Sequence, residues 1–116
     1  MQSQRKCHTM KSIKYHKLVR DRIPEIIEQS GKNCITSVLP ESEFIEMLDK
    51  KLNEELAEYQ ESKSLEELAD LLEVIRAVAA ARGSSIEEIE NIRSEKAAAR
   101  GGFKKRIMLL EVQSEE

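Results

Sequence analysis

Four carboxylates in two matched pairs are the residues of this chain best placed to do chemistry. Glu55 and Glu58 stand in K-L-N-E-E-L-A-E-Y, and Glu67 and Asp70 in L-E-E-L-A-D-L-L. Each pair is spaced i, i+3, so on a helix both members project from one face about one turn apart. Acidic residues are common and spacing alone proves little; the surroundings of the second pair say more. Around a helix, Leu65, Leu68, Leu71, Leu72, Val74, Ile75, Val78 and Ala79 cover most of the circumference, and Ala77 and Ala81 extend that surface. The polar arc holds Glu66, Glu73 and Arg76. Glu67 falls outside it, in line with Leu71, Val74 and Val78, and so does Asp70, in line with Val74, Ala77 and Ala81. A carboxylate among apolar neighbours is costly unless it is paired or holds a metal.

Each pair also has an ordinary explanation. Glu55 and Glu58 fit a solvated helix face, since Glu is a good helix former. Ser64-x-x-Glu67 fits a capping box, with the Glu67 carboxylate bonding back to the Ser64 amide. Capping leaves Asp70 unexplained, one turn further in. If a short turn makes the two helices antiparallel, all four carboxylates converge, and their repulsion raises their pKa values or demands cations. Oxygen-only ligands favour hard ions, Mg²⁺ first and Mn²⁺ next.

A second constellation is basic. Lys96 and Arg100 are spaced i, i+4, with Arg93 near the same face, and Arg100 runs into R-G-G-F, where glycines let a ligand approach the backbone. The plain alternative is a positive helix C-terminus matching the macrodipole, followed by an ordinary glycine stop. Beside an anionic metal site the same cations would hold phosphate oxygens. Lys17, Arg20 and Arg22 in K-L-V-R-D-R offer a further basic element, with Asp21 able to tie one of the arginines instead. Other routes to chemistry are poor. There is no G-x-x-x-x-G-K-[ST] or G-x-G-x-x-G phosphate loop, and neither His8 nor His16 has an identifiable nucleophile partner.

The elements that must position these residues are mostly helical. Pro24 fits the first turn of a short helix that stops at Gly31. Ser42 is placed to cap a longer one, whose apolar stripe runs Phe44, Ile45, Leu48, Leu52, Leu56 and Tyr59. After a break at S-K-S, Ser64 begins a second long helix that ends near Gly83. Ser85 begins a third, with Ile86, Ile89 and Ile92 inward and Gly101-Gly102 as its stop. Short connections predict antiparallel neighbours. Residues 34–39 and 107–112 read as strands, a pair that would form a small two-stranded β ribbon, marginal unless packed on helices. Residues 1–12 read as a disordered tail, and 13–116 as one mainly α domain, an antiparallel helical bundle completed by oligomerisation.

Composition narrows the function classes. With 116 residues the chain is long enough for one core, yet small enough that self-association helps to bury apolar helix faces. Two Phe, two Tyr and no Trp leave little with which to stack nucleobases. A net charge of −3 gives no general attraction to nucleic acid polymers or anionic membranes. No apolar run approaches the roughly 20 residues of a membrane span. The basic start lacks the apolar region of a secretory signal, and Cys7 and Cys34 are too few for a disulfide framework, so a cytoplasmic protein with free thiols is expected.

E-L-A-E from Glu55 followed by E-L-A-D from Glu67 resembles the E-x-x-E…E-x-x-D signature of the all-α nucleoside triphosphate pyrophosphatases, the MazG-like and phosphoribosyl-ATP pyrophosphohydrolase-like superfamily. K-L-V-R-D-R-I-P-E-I-I from Lys17, E-E-L-A-D-L-L-E-V-I-R-A in the middle and E-K-A-A-A-R-G-G-F from Glu95 look like one small house-cleaning branch, over roughly residues 13–112. The resemblance implies Mg²⁺ on Glu55, Glu58, Glu67 and Asp70, and phosphate contacts from Lys96 and Arg100. It also implies a helical dimer or higher oligomer, whose subunits complete each other's sites. One departure stands out: the segment between Glu58 and Glu67 is shorter than in MazG proper, so a tight hairpin is expected and substrate preference does not carry over.

The expected reaction is hydrolysis of a nucleoside triphosphate between the α and β phosphates, giving monophosphate and pyrophosphate. Glu55 is the first choice to orient or deprotonate the attacking water, with Glu54 behind it, and Lys17 and Arg20 join Lys96 and Arg100 as substrate contacts. Two alternatives stay open: a pyrophosphohydrolase of a phosphoribosyl-ATP-like metabolite, and a non-catalytic helical dimerisation module.

Overall fold

Serine starts and glycine stops divide the chain into helices. The computed structural model describes residues 11–115, and among these it holds four helices: α1 (Ile23–Gln29), α2 (Glu41–Ser62), α3 (Leu65–Ala81) and α4 (Ile86–Arg100). The protein is mainly α. No helix is long and apolar enough to cross a membrane. The chain divides into two compact units, Met1–Met47 and Leu48–Glu116, with the division falling inside α2. Of the tail read over residues 1–12, residues 1–10 lie outside the described part.

In the first unit, Pro24 occupies the first turn of α1, where its missing N–H costs nothing. Gly31 follows α1 with φ +93°, a left-handed conformation that glycine adopts without a Cβ clash. The Cys34 thiol is free and half-buried, its sulfur 3.8 Å from the Pro24 carbonyl oxygen. The start of α2 differs from expectation. The helix begins at Glu41, and the Pro40 carbonyl already accepts from the Phe44 amide at 2.9 Å, so Ser42 lies inside the first turn and is not the cap.

In the second unit, Ser64 and Ser85 are caps as read: Ser64 Oγ accepts from the Glu67 amide and Ser85 Oγ from the Glu88 amide, at 3.3 and 3.1 Å. Only Lys63 and Ser64 separate α2 from α3. Two contacts fix the direction of α3. Arg82, just past its end, donates to Asp49 Oδ2 at 2.9 Å, while Glu67 and Asp70, near its start, meet Glu55. The pairing order 49 with 82 and 55 with 67 and 70 is that of an antiparallel hairpin. α4 then packs against α3.

Burial is sparse. Among the described residues, Leu48, Val74 and Ala79 are the buried apolar ones, and Glu55 is buried with them. The apolar surface expected around α3 is only partly covered: Leu68 is 40% exposed, Leu72 53% and Leu65 82%. The isoleucine stripe of α4 also turns inward less than expected, with Ile86 half-buried but Ile89 and Ile92 exposed. A hairpin with one further helix covers one side of each element, and the stripes are wider than that.

The strand reading is corrected. Residues 34–39 and 107–112 form no strand, nor is there one elsewhere among the described residues, so there is no two-stranded ribbon. β-branched residues favour a strand only where a neighbouring strand and a packed face exist. Here Ile35 and Val38 are essentially fully exposed, as are most of Ile107, Met108, Leu109, Leu110 and Val112.

Candidate metal centre

The hairpin delivers carboxylates from both of its helices to one place. Glu55 of α2 and Glu67 and Asp70 of α3 each offer an oxygen, and these oxygens all lie within 4.8 Å of one another. The i, i+3 spacing puts Glu67 and Asp70 on one face of α3, and the two-residue connection folds that face back onto the Glu55 turn. Glu58, the fourth sequence candidate, sits at the exposed rim one turn along α2. It is close enough that its charge acts on both Glu55 and Glu67.

Glu55 is not on a solvated face, since its side chain is only 10% exposed. The capping box is half formed. Ser64 accepts from the Glu67 amide, but the Ser64 amide donates to Ser62 Oγ at 3.2 Å instead of to the Glu67 carboxylate. Capping thus uses the Glu67 backbone and leaves its side chain free to turn into the cluster. Glu55 Oε2 and Glu67 Oε2 are both shut off from solvent and accept no hydrogen bond. Buried acceptors of this kind are rare and costly.

Electrostatics follow from that placement. Burial pushes the Glu55 carboxyl above its ordinary value, the Glu58 carboxylate and Asp70 add to the rise, and the Lys51 ammonium opposes it. Glu67 is raised as well, by desolvation first and then by Glu58 and Asp70. Lys51 lies 3.6 Å from Glu55 Oε1 as an i, i+4 pair, with its own side chain 22% exposed. The ammonium therefore offsets part of the negative charge at Glu55.

A divalent cation fits what is left. Glu55 and Glu67 each present an unpartnered buried oxygen, the donors are all hard carboxylate oxygens, and both helices are anchored by caps or by the Asp49–Arg82 pair. Such a donor set favours Mg²⁺ or Mn²⁺.

The basic candidates divide. Lys96 and Arg100 lie exposed on the last turns of α4, and neither is ion-paired among the described residues. Arg93 is committed elsewhere, gripping Glu90 with two bonds of 2.8 and 2.6 Å and holding that carboxyl below its ordinary value. Arg22 similarly pairs with Glu25 at 2.9 Å. Lys17 and Arg20 are exposed, ahead of α1 in the first unit, and the acidic cluster belongs to the second. Sequence reasoning missed Lys51, although its spacing from Glu55 was open to view. It also missed the Asp49–Arg82 pair, for which no local pattern exists.

Comparison with known proteins adds little. No family model matches the chain, and no solved structure matches it. A 41-residue stretch is 51% identical to an uncharacterized protein of Mycolicibacterium smegmatis, covering 35% of this chain and 42% of that protein. The match thus spans less than half of either chain.

Proposed function

We propose that the chain is a Mg²⁺-dependent nucleoside triphosphate pyrophosphohydrolase, cleaving between the α and β phosphates to release monophosphate and pyrophosphate. The observation that carries this reading is the pair of orphaned buried oxygens, Glu55 Oε2 and Glu67 Oε2, within a carboxylate group drawn from two helices. The ordered motifs that resemble the MazG-like superfamily support it independently. House-cleaning of noncanonical nucleotides is the role that resemblance favours, in the cytoplasm.

Glu55, Glu67 and Asp70 would hold the ion, with Glu58 reaching it from the rim. The bound ion would neutralise phosphate charge and lower the pKa of an attacking water. Glu55 and Glu67, raised by their surroundings, hold a proton more readily than ordinary carboxylates. Of the two, Glu55 is the residue we assign to orient and deprotonate the water. Lys96 and Arg100, exposed and without ion pairs among the described residues, are available to bind oxygens of the departing pyrophosphate, where charge accumulates.

The assay is pyrophosphate and monophosphate release from a panel of ordinary and damaged nucleoside triphosphates, with Mg²⁺ and with EDTA. Equimolar, metal-dependent release of both products is expected. Release of inorganic phosphate alone, or turnover indifferent to EDTA, contradicts the assignment. If only a phosphoribosyl-nucleotide metabolite is cleaved, the metabolite enzyme replaces it. Silence on every substrate favours a helical dimerisation module.

The same reading includes self-association. Leu56, Leu68 and Leu72 are 45%, 40% and 53% exposed on the hairpin that builds the site. Fully burying such a side chain is worth about 1.5–3 kcal/mol, a gain a second copy would collect. Sedimentation at micromolar concentration should show a dimer or tetramer that Leu72→Glu weakens. A monomer at all concentrations would remove oligomerisation from the account.

A further inference from the structure

Resting on the metal reading above, the structure assigns a second task to the cluster: it carries its own competing cation. We infer that Lys51 is a resident counter-ion of the carboxylates, which a divalent ion must displace or tolerate in order to bind. Lys51 sits one turn before Glu55, and its ammonium lies 3.6 Å from Glu55 Oε1. Glu55 is the most buried member of the group, with its side chain 10% exposed and its other oxygen unpartnered. The ammonium thus engages Oε1 of a carboxylate whose Oε2 is buried and without a partner.

The Lys51 ammonium does not satisfy the buried oxygens of Glu55 and Glu67. Glu55, Glu67 and Asp70 converge within 4.8 Å, and one buried oxygen on Glu55 and one on Glu67 receive no hydrogen. Lys51 therefore offsets part of the repulsion without completing the site. An incoming divalent ion meets the carboxylates and a like charge together. At a few ångströms and intermediate dielectric that repulsion is substantial, and it is felt as weakened metal affinity. The lysine sets the free-metal concentration at which the site fills.

Two arginines of the same unit are committed elsewhere. Arg82 is bound to Asp49 and Arg93 to Glu90, both exposed pairs. The Lys51 stem is also largely covered, so the ammonium does not trade its place for open water as a surface lysine would.

Mn²⁺ binding to the full chain, read by electron paramagnetic resonance of the free ion, tests this without any substrate. Lys51→Met should bind Mn²⁺ about tenfold more tightly than the unaltered chain, and Lys51→Gln should behave alike. Lys51→Arg keeps the charge and should stay within about threefold of the unaltered chain. Equal or weaker binding in both neutral variants, with helicity intact, overturns the role of Lys51 while leaving the metal site standing. No saturable binding in any of these chains overturns the metal site itself, and the inference falls with it. If Lys51→Arg tightens binding as much as Lys51→Met, the effect is steric and the charge argument fails.

Discussion

Changing Glu67 to Gln should reduce Mg²⁺-dependent turnover by about a hundredfold or more while the chain stays folded, because one charged oxygen is removed from the group proposed to hold the ion and, through it, the phosphates. Three observations single out this residue. Its amide is held by the Ser64 hydroxyl, so the helix start does not depend on its carboxylate. Its Oε2 is buried and accepts no hydrogen bond, so Gln takes no partner from that atom. Its carboxyl is raised by desolvation, Glu58 and Asp70, so a neutral side chain of equal shape relieves repulsion. Loss of activity should therefore come with an unchanged or higher melting temperature in EDTA. Turnover within about threefold of the unaltered chain would show that Glu67 has no part in the reaction. A lower melting temperature in EDTA would make it a structural residue.

The second large effect couples metal, pH and stability. Glu55 and Glu67 titrate above the ordinary carboxylate value of 4.5 in the folded chain. As pH rises through 4.5, the unfolded chain sheds these protons first and the folded chain retains them. Stability in EDTA should therefore fall with pH from 4.5 upward, until both folded carboxyls have ionised. Glu90 works in the opposite sense: Arg93 lowers it, so its contribution is present above 4.5 and is lost only below. Mg²⁺ should oppose the fall by giving the ionised cluster a partner. At a hundred times Kd the linkage is about 2.7 kcal/mol, roughly 10 °C for a domain of this size. Melting curves from pH 4.5 to 8, with Mg²⁺ and with EDTA, check both parts. A melting temperature that rises with pH in EDTA, or one that Mg²⁺ leaves unmoved at pH 8, would contradict the cluster's electrostatics.

Much of this arrangement was legible because it is local. Helix starts at Ser64 and Ser85 and stops near Gly83 and Gly101 follow from capping chemistry that acts within a few residues. The carboxylate pairs were legible for the same reason, their i, i+3 spacing fixing a shared face. That Glu55 would meet Glu67 and Asp70 needed one further step, the two-residue turn. Other features depend on partners distant in sequence. The Asp49–Arg82 pair joins residues 33 positions apart, and no periodicity announces it. Residues 34–39 and 107–112 carry strand composition, yet composition cannot supply a second strand, and both are coil, with Ile35, Val38 and the apolar residues of 107–112 exposed. Ser42 failed as a cap because Pro40 already offers its carbonyl one turn ahead of Phe44. The stripes on α3 and α4 were found, but their width exceeds what one chain covers. Leu65 and Leu72 are the clearest cases.

The Glu55, Glu67 and Asp70 oxygens are proposed to hold a hard divalent ion. Titrating the full chain with Mg²⁺ in a calorimeter at pH 8, beside Glu55→Gln and Glu67→Gln, measures that directly. A saturable uptake by the unaltered chain, weakened at least about tenfold in both variants, is the predicted result. Uptake that does not saturate, or that both variants leave unchanged, would contradict it.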